Sequence, residues 1–160
     1  MDKTHDTVAS LEWGLRHAGY LLLQVTRQHL AACGLTMPRF WVLVHVEKQP
    51  DITMGELKHS MHLAGSSVSG LVDQLITDGL VRRQRDASDR RIIRLSPTPS
   101  GKQLVRETLE FRYDQIAGAL EGLGAQDVQT AAGVLEQIIQ AFRTALRELT
   151  DEQHPDEKTR

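Results

Sequence analysis

A single cysteine, Cys33, in 160 residues rules out an intrachain disulfide and suits a reducing compartment. Aromatic residues make up only 4% of the chain, against 40% hydrophobic residues overall. With Leu, Ala, Gln, Glu and Arg crowding both ends, that balance argues for helices and against an all-β sandwich. No apolar run approaches the roughly 18 residues of a membrane span, and the opening M-D-K-T-H-D-T lacks the apolar stretch of a secretory signal. A soluble, cytoplasmic protein with no membrane partner is expected. Catalytic signatures are missing too. There is no G-x-S-x-G, G-x-x-x-x-G-K-S/T, H-E-x-x-H or paired C-x-x-C, and His, Asp and Ser are scattered rather than grouped. The sequence therefore predicts no enzyme, no catalytic residues, no metal and no cofactor. Nor is there a global excess of positive charge, since the formal net charge is −2. What remains is a chain of one ordinary domain, able to bury a core without disulfides or metals.

Positive charge is instead local. Val81 to Leu95 reads V-R-R-Q-R-D-A-S-D-R-R-I-I-R-L, two short β-compatible runs around a polar turn, with arginine at 82, 83, 85, 90, 91 and 94. Only Asp86 and Asp89 offset these charges, and a basic hairpin on a near-neutral chain points to nucleic acid. Upstream, Val8, Leu11, Leu15, Ala18, Leu22 and Val25 recur at steps of three and four, predicting an amphipathic first helix over 8–32 that Gly34 breaks. Thr36 is placed to cap a second helix with Pro38 in its first turn and Met37, Phe40, Trp41, Val44 and Val46 on its apolar face. Pro50 and Asp51 end it. Thr53-Met54-Gly55-Glu56 has the form of a capping box for a short third helix, in which hydroxyl and carboxylate each satisfy an exposed backbone N–H. After a turn at Leu63-Ala64-Gly65, residues 66–78 repeat Val68, Leu71, Val72, Leu75 and Ile76 before Gly79, predicting a fourth helix. Beyond the hairpin, Pro97 and Pro99 mark a boundary, and Thr98 or Ser100 can cap a fifth helix from Gly101 toward Leu120.

The last helix carries Val128, Ala132, Leu135, Ile139, Phe142, Leu146 and Leu149 in alternating steps of four and three. Such a heptad-like stripe wants a partner helix. Packing against the first and fifth helices of the same chain would satisfy it, and so would a second copy. Two long end helices around a small middle unit favour dimerisation, through Leu11, Leu15, Leu135, Ile139, Phe142 and Leu146. The expected organisation is 1–34 as an N-terminal dimerisation helix, 35–99 as a DNA-binding unit, 100–150 as C-terminal dimerisation helices and 151–160 as a flexible tail. Helix, turn, helix and two-stranded hairpin is the order of a winged helix-turn-helix, whose second helix enters the major groove. The predicted fold is thus mainly α, with a two-stranded β wing and terminal dimerisation helices.

The segment G-L-V-R-R-Q-R-D-A-S-D-R-R-I-I-R-L-S-P-T-P-S-G resembles the wing and following helix start of the MarR family of transcription regulators. L-T-M-P-R-F-W-V-L is similar to the start of that family's second helix, and S-S-V-S-G-L-V-D-Q-L to its recognition helix. The resemblance covers about Leu35 to Leu104. It implies a homodimer on a pseudo-palindromic double-stranded operator, acting as a repressor. In the wing it matches Asp89 and Arg91 to an aspartate that steadies an arginine in the minor groove. A guanidinium suits the negative potential of a narrow groove, so Arg91 can read groove width. Arg85 and Arg90 are expected to join it, while Arg82, Arg83 and Arg94 can be ordinary solvated charges. In the fourth helix the matching DNA-facing positions are Ser66, Ser67, Ser69 and Gln74, each able to bond phosphates or bases, the serines equally able to cap. Many family members carry arginine where this chain has Gly70, and often where it has Gln74, so specificity is expected to lean on the wing and on DNA shape. Ala64 stands where a capping residue is expected, which would start the helix a turn later at Ser66 or Ser67.

The resemblance also implies an effector pocket between the DNA-binding unit and the dimer helices. Ligand would then change the spacing of two recognition helices that must match the groove repeat of about 34–36 Å. Candidate lining residues are Trp13, Arg16, His17, Tyr20, Phe40, Trp41, His45, Arg112 and Tyr113, aromatic walls with cationic groups that suit a small aromatic or phenolic anion. Phe40 and Trp41 are also plain core residues in form. Two alternative sensors share the fold: a metal-responsive one using His17, His29, Cys33 and His45, and a redox-responsive one using Cys33. The first lacks any histidine between His62 and His154 to complete a site, and the second lacks a sequence-adjacent cation to activate the thiol, expected to be inert and half-buried. A helix-turn-helix serving as a protein-docking module is the remaining rival. Its binding would be insensitive to salt, unlike phosphate contact.

Overall fold

A computed structural model describes residues 3–61, 65–86, 89 and 91–153, by backbone alone at 3, 65–67 and 150–153. In chain order they form α1 (Lys3–Ala32), α2 (Met37–Lys48), β1 (Ile52–Thr53), α3 (Met54–Met61) and α4 (Gly65–Thr77). These are followed by β2 (Val81–Arg85), β3 (Ile93–Pro97), α5 (Pro99–Ala119) and α6 (Ala125–Gln153). The chain divides into two compact units, Met1–Gln115 and Ile116–Arg160, with the division inside α5.

In the first unit α2 is the central strut. Phe40, Val42, Leu43, Val44 and Val46 are all buried, so it is apolar nearly all round and is enclosed by α1, α3, α4 and β3. Val68, Val72 and Leu75 of α4 and Leu57 of α3 complete this core with Ile52, Val81, Leu95 and Val105. Only the C-terminal end of α1 joins it, through buried Leu30 and Thr26, whose hydroxyl bonds the Leu22 carbonyl at 2.6 Å. Toward its N-terminus Val8, Leu11, Trp13, Leu15 and Tyr20 stay exposed.

The sheet has three antiparallel strands in the order β1-β3-β2, where sequence reading gave two. The added strand is Ile52–Thr53, paired with Leu95 and Arg94 of β3. The capping box forms as expected: the Thr53 N–H donates to Glu56 Oε2 at 2.8 Å and the Glu56 N–H to Thr53 Oγ1 at 3.2 Å. Thr36 occupies the cap position of α2 in an extended conformation, but its side chain makes no capping bond. Thr98 rather than Ser100 caps α5, its hydroxyl accepting the Gly101 N–H at 3.0 Å and donating to the Gly79 carbonyl at 2.7 Å. Gly101 is obligatory there, because a Cβ would collide with the Leu80 carbonyl oxygen. Helix α4 begins at Gly65, so Ser66 and Ser67 lie within its first turn and the expected late start is corrected.

In the second unit α6 carries its apolar stripe exposed, with Phe142 and Leu146 each 63% accessible and Leu135 and Ile139 also exposed. No helix among the described residues is long and apolar enough to cross a membrane.

Candidate nucleic-acid interface

The basic hairpin sorts its arginines by the pleat. Val81, Arg83 and Arg85 share a face with Ile93, Leu95 and Ile52, whereas Arg82 and Gln84 share the other with Arg94 and Ser96. The first is the core side, and there Arg83 reaches α4 to pair with Asp73 at 2.8 Å. Both groups are largely exposed, so the bridge stabilises by at most about 1 kcal/mol. Its value is orientation, fixing the hairpin against α4. Arg85, one pleat further out on that face, is exposed with no side-chain bond among the described residues.

Asp86 organises the turn. Its N–H donates to the Ile92 carbonyl at 3.0 Å, and its carboxylate accepts the Asp89 N–H at 3.2 Å and the Arg94 guanidinium. That ion pair raises the Arg94 pKa above its ordinary value, the hydrogen bond that Arg94 donates to Asp86 being the largest cause. Arg94 also donates to the Asp51 carbonyl at 3.1 Å, so it is an internal brace rather than a free cation. The Asp89 carboxylate accepts the backbone N–H of Arg91 at 2.9 Å, an Asx turn that sets the backbone while leaving the Arg91 side chain exposed and with no ion pair among the described residues. Arg90 lies outside the described residues. Sequence reasoning missed the bracing by Asp86 and Asp51; the pairing of aspartates with arginines across the turn was its only visible trace.

On α4, Val68, Val72 and Leu75 face the core, which turns Gly70, Asp73, Gln74 and Thr77 outward. Gln74 is exposed, Ser69 is half-buried, and the side chains of Ser66 and Ser67 lie outside the described residues.

The effector candidates are not gathered into one site. Trp13, His17 and Tyr20 form a ladder along α1, with ring centroids 4.8 and 6.3 Å apart. Arg16 pairs with Glu12 of the same helix at 2.9 Å, which lowers the Glu12 pKa chiefly through that hydrogen bond. Phe40 is fully buried in the core, Trp41 is partly exposed beside it, and His45 hydrogen-bonds the Trp41 carbonyl through Nδ1 at 2.8 Å. Tyr113 borders an open concavity of about 580 Å³ between α2 and α5, lined also by Glu47, Lys102, Val105, Arg106, Leu109 and Glu110. Arg112, half-buried beside it in sequence, does not line it. His29 stacks on Phe111 at 4.2 Å, and no group of three or more metal-ligating side chains occurs among the described residues. Cys33 is exposed, not half-buried as expected, because it follows α1 in the turn that leads to Gly34.

A helix pair backed by a sheet whose hairpin presents outward arginines beside the second helix defines a winged helix-turn-helix DNA-binding protein. Residues 34–92 match the family model described as MarR family. The chain is 30% identical over 126 residues to the HTH-type transcriptional regulator YsmB of Bacillus subtilis, covering 79% of this chain and 86% of that protein. It is 29% identical over 111 residues to the HTH-type transcriptional repressor MdtR of the same organism, with 69% and 72% covered. The solved structure of a MarR family protein from Bacillus stearothermophilus superposes with a TM-score of 0.79 at 31% identity, over 89% of this chain and 99% of that one. The chain belongs to the MarR family. It is a DNA-binding transcription regulator and not an enzyme.

Proposed function

We propose that the protein binds a pseudo-palindromic operator as a homodimer, with α4 in the major groove and Arg85, Arg90 and Arg91 of the wing at the neighbouring minor groove. The observation that carries this reading is the Arg83–Asp73 bridge, which ties the basic hairpin to the outward face of α4. In it residues 1–34 and 100–150 supply the dimer contacts and 35–99 the DNA contacts. Dimerisation is supported by the exposed Leu11, Leu15, Leu135, Ile139, Phe142 and Leu146, apolar surface that a second copy would remove from water. A dimer seated across an operator blocks access to it, and the similarity to a repressor supports repression as the outcome. Relief by a small aromatic or phenolic anion fits Tyr113 and the cationic Lys102 and Arg106 at the α2–α5 concavity.

Fluorescence anisotropy with the DNA upstream of the protein's own gene, over a salt series, tests the reading. Binding should fall steeply with salt and weaken by at least about 1 kcal/mol in Arg91→Ala. Binding no tighter than to random duplex, and indifferent to salt, would favour a protein-docking module instead.

A further inference from the structure

Among the described side chains, the outward face of α4 holds few groups able to read a base. Residues advance by about 100° around a helix, so with Val68, Val72 and Leu75 buried, Gly70 and Thr77 point most directly away from the core. Asp73 and Gln74 flank them on opposite sides. The Asp73 carboxylate is engaged by Arg83 at 2.8 Å, and the Thr77 hydroxyl donates to the Asp73 carbonyl at 3.0 Å. Gly70 has no side chain, and a Cβ there would meet nothing within 4 Å, so no internal packing demands glycine at this position. Mid-helix glycine costs about 1 kcal/mol against alanine. Here it leaves a bare strip of backbone one turn before Gln74. The Gln74 amide is exposed and makes no hydrogen bond among the described residues.

From this surface we infer that Gln74 reads one adenine in each operator half-site, and that bare backbone at Gly70 brings α4 close enough for its amide to reach the base. The inference rests on the proposed placement of α4 in the major groove. Its chemistry is that of the amide edge. Gln offers an acceptor oxygen and a donor nitrogen side by side, which match adenine N6–H and N7 together. Guanine presents two acceptors there, and the pyrimidines offer no such donor and acceptor pair.

Selection of sites from random duplex by the full-length protein and by Gln74→Ala, followed by affinity measurement on the selected site, tests this. The wild type should enrich a symmetric site with one A·T pair per half-site that loses its preference in Gln74→Ala, the other positions being retained. Replacing that adenine by 7-deazaadenine, which lacks the N7 acceptor, should weaken wild-type binding about 10-fold and leave Gln74→Ala unaffected. Unchanged thermal melting of Gln74→Ala confirms that its fold is intact. A wild-type site whose preferences survive intact in Gln74→Ala, or a lost preference for guanine, overturns the inference while leaving the DNA-binding reading in place. Enrichment of no site by the wild type overturns both.

Discussion

Asp51 is the one non-glycine residue with positive φ among those described, at 66°. Aspartate tolerates this left-handed conformation better than most L residues, and here it is held from both ends. Its carbonyl accepts from Arg94 at 3.1 Å and its carboxylate accepts the hydroxyl of the buried Ser96 at 2.5 Å. Alanine at 51 would keep the backbone strain and orphan that hydroxyl, so Asp51→Ala should lose about 1–3 kcal/mol in urea unfolding. Asp51→Asn, which retains an acceptor, should lose much less. The Arg94 bond goes to the Asp51 backbone carbonyl, which alanine retains, so the Arg94 brace on Asp86 in the wing turn should survive the substitution.

At the scale of elements, α3 depends on its cap. The Glu56 carboxyl is held below its ordinary pKa of 4.5, first by the Thr53 N–H, then by the Thr53 hydroxyl, with desolvation opposing and the Arg94 charge adding least. A group depressed on folding contributes stability fully above its unfolded pKa, and that contribution fades as pH falls through the folded value. The urea midpoint of the wild type should therefore exceed that of Glu56→Gln at about pH 7, and the gap should narrow as pH falls below 4.5. This box was legible in the sequence because both partners sit within one turn, and the helices were legible because their apolar spacing is local. Strand β1 was not, since two residues carry no periodicity and their partners, Leu95 and Arg94, lie far along the chain. The roles of the six wing arginines were equally hidden. Arg83 answers to Asp73 ten residues back, a pairing that exists only once the sheet is laid on α4, and Arg94 to Asp86 eight back, one that needs the hairpin closed. Which aromatic of the Phe40-Trp41 pair is buried also depended on the phase of α2, which alternating apolar residues leave ambiguous.

For the whole molecule, the apolar stripe of α6 bears on assembly. Phe142→Glu combined with Leu146→Glu should convert the proposed dimer of 17.9 kDa chains to monomer in light scattering and weaken operator binding along with it, leaving the helix content unchanged. A variant that remained dimeric would place the interface elsewhere. The DNA-binding unit has its own unifying feature at the corner where α4, β2 and α5 meet. The Leu80 N–H bonds the Leu75 carbonyl at 2.9 Å, the Leu80 carbonyl accepts the Thr98 N–H at 3.0 Å, and Gly101 lies directly against it. Amide hydrogens at this corner should exchange with solvent only when α4, the wing root and the start of α5 open together. The wing root is thus ordered during folding and not at the moment of encounter, and the protein meets DNA with that part of its entropy already spent.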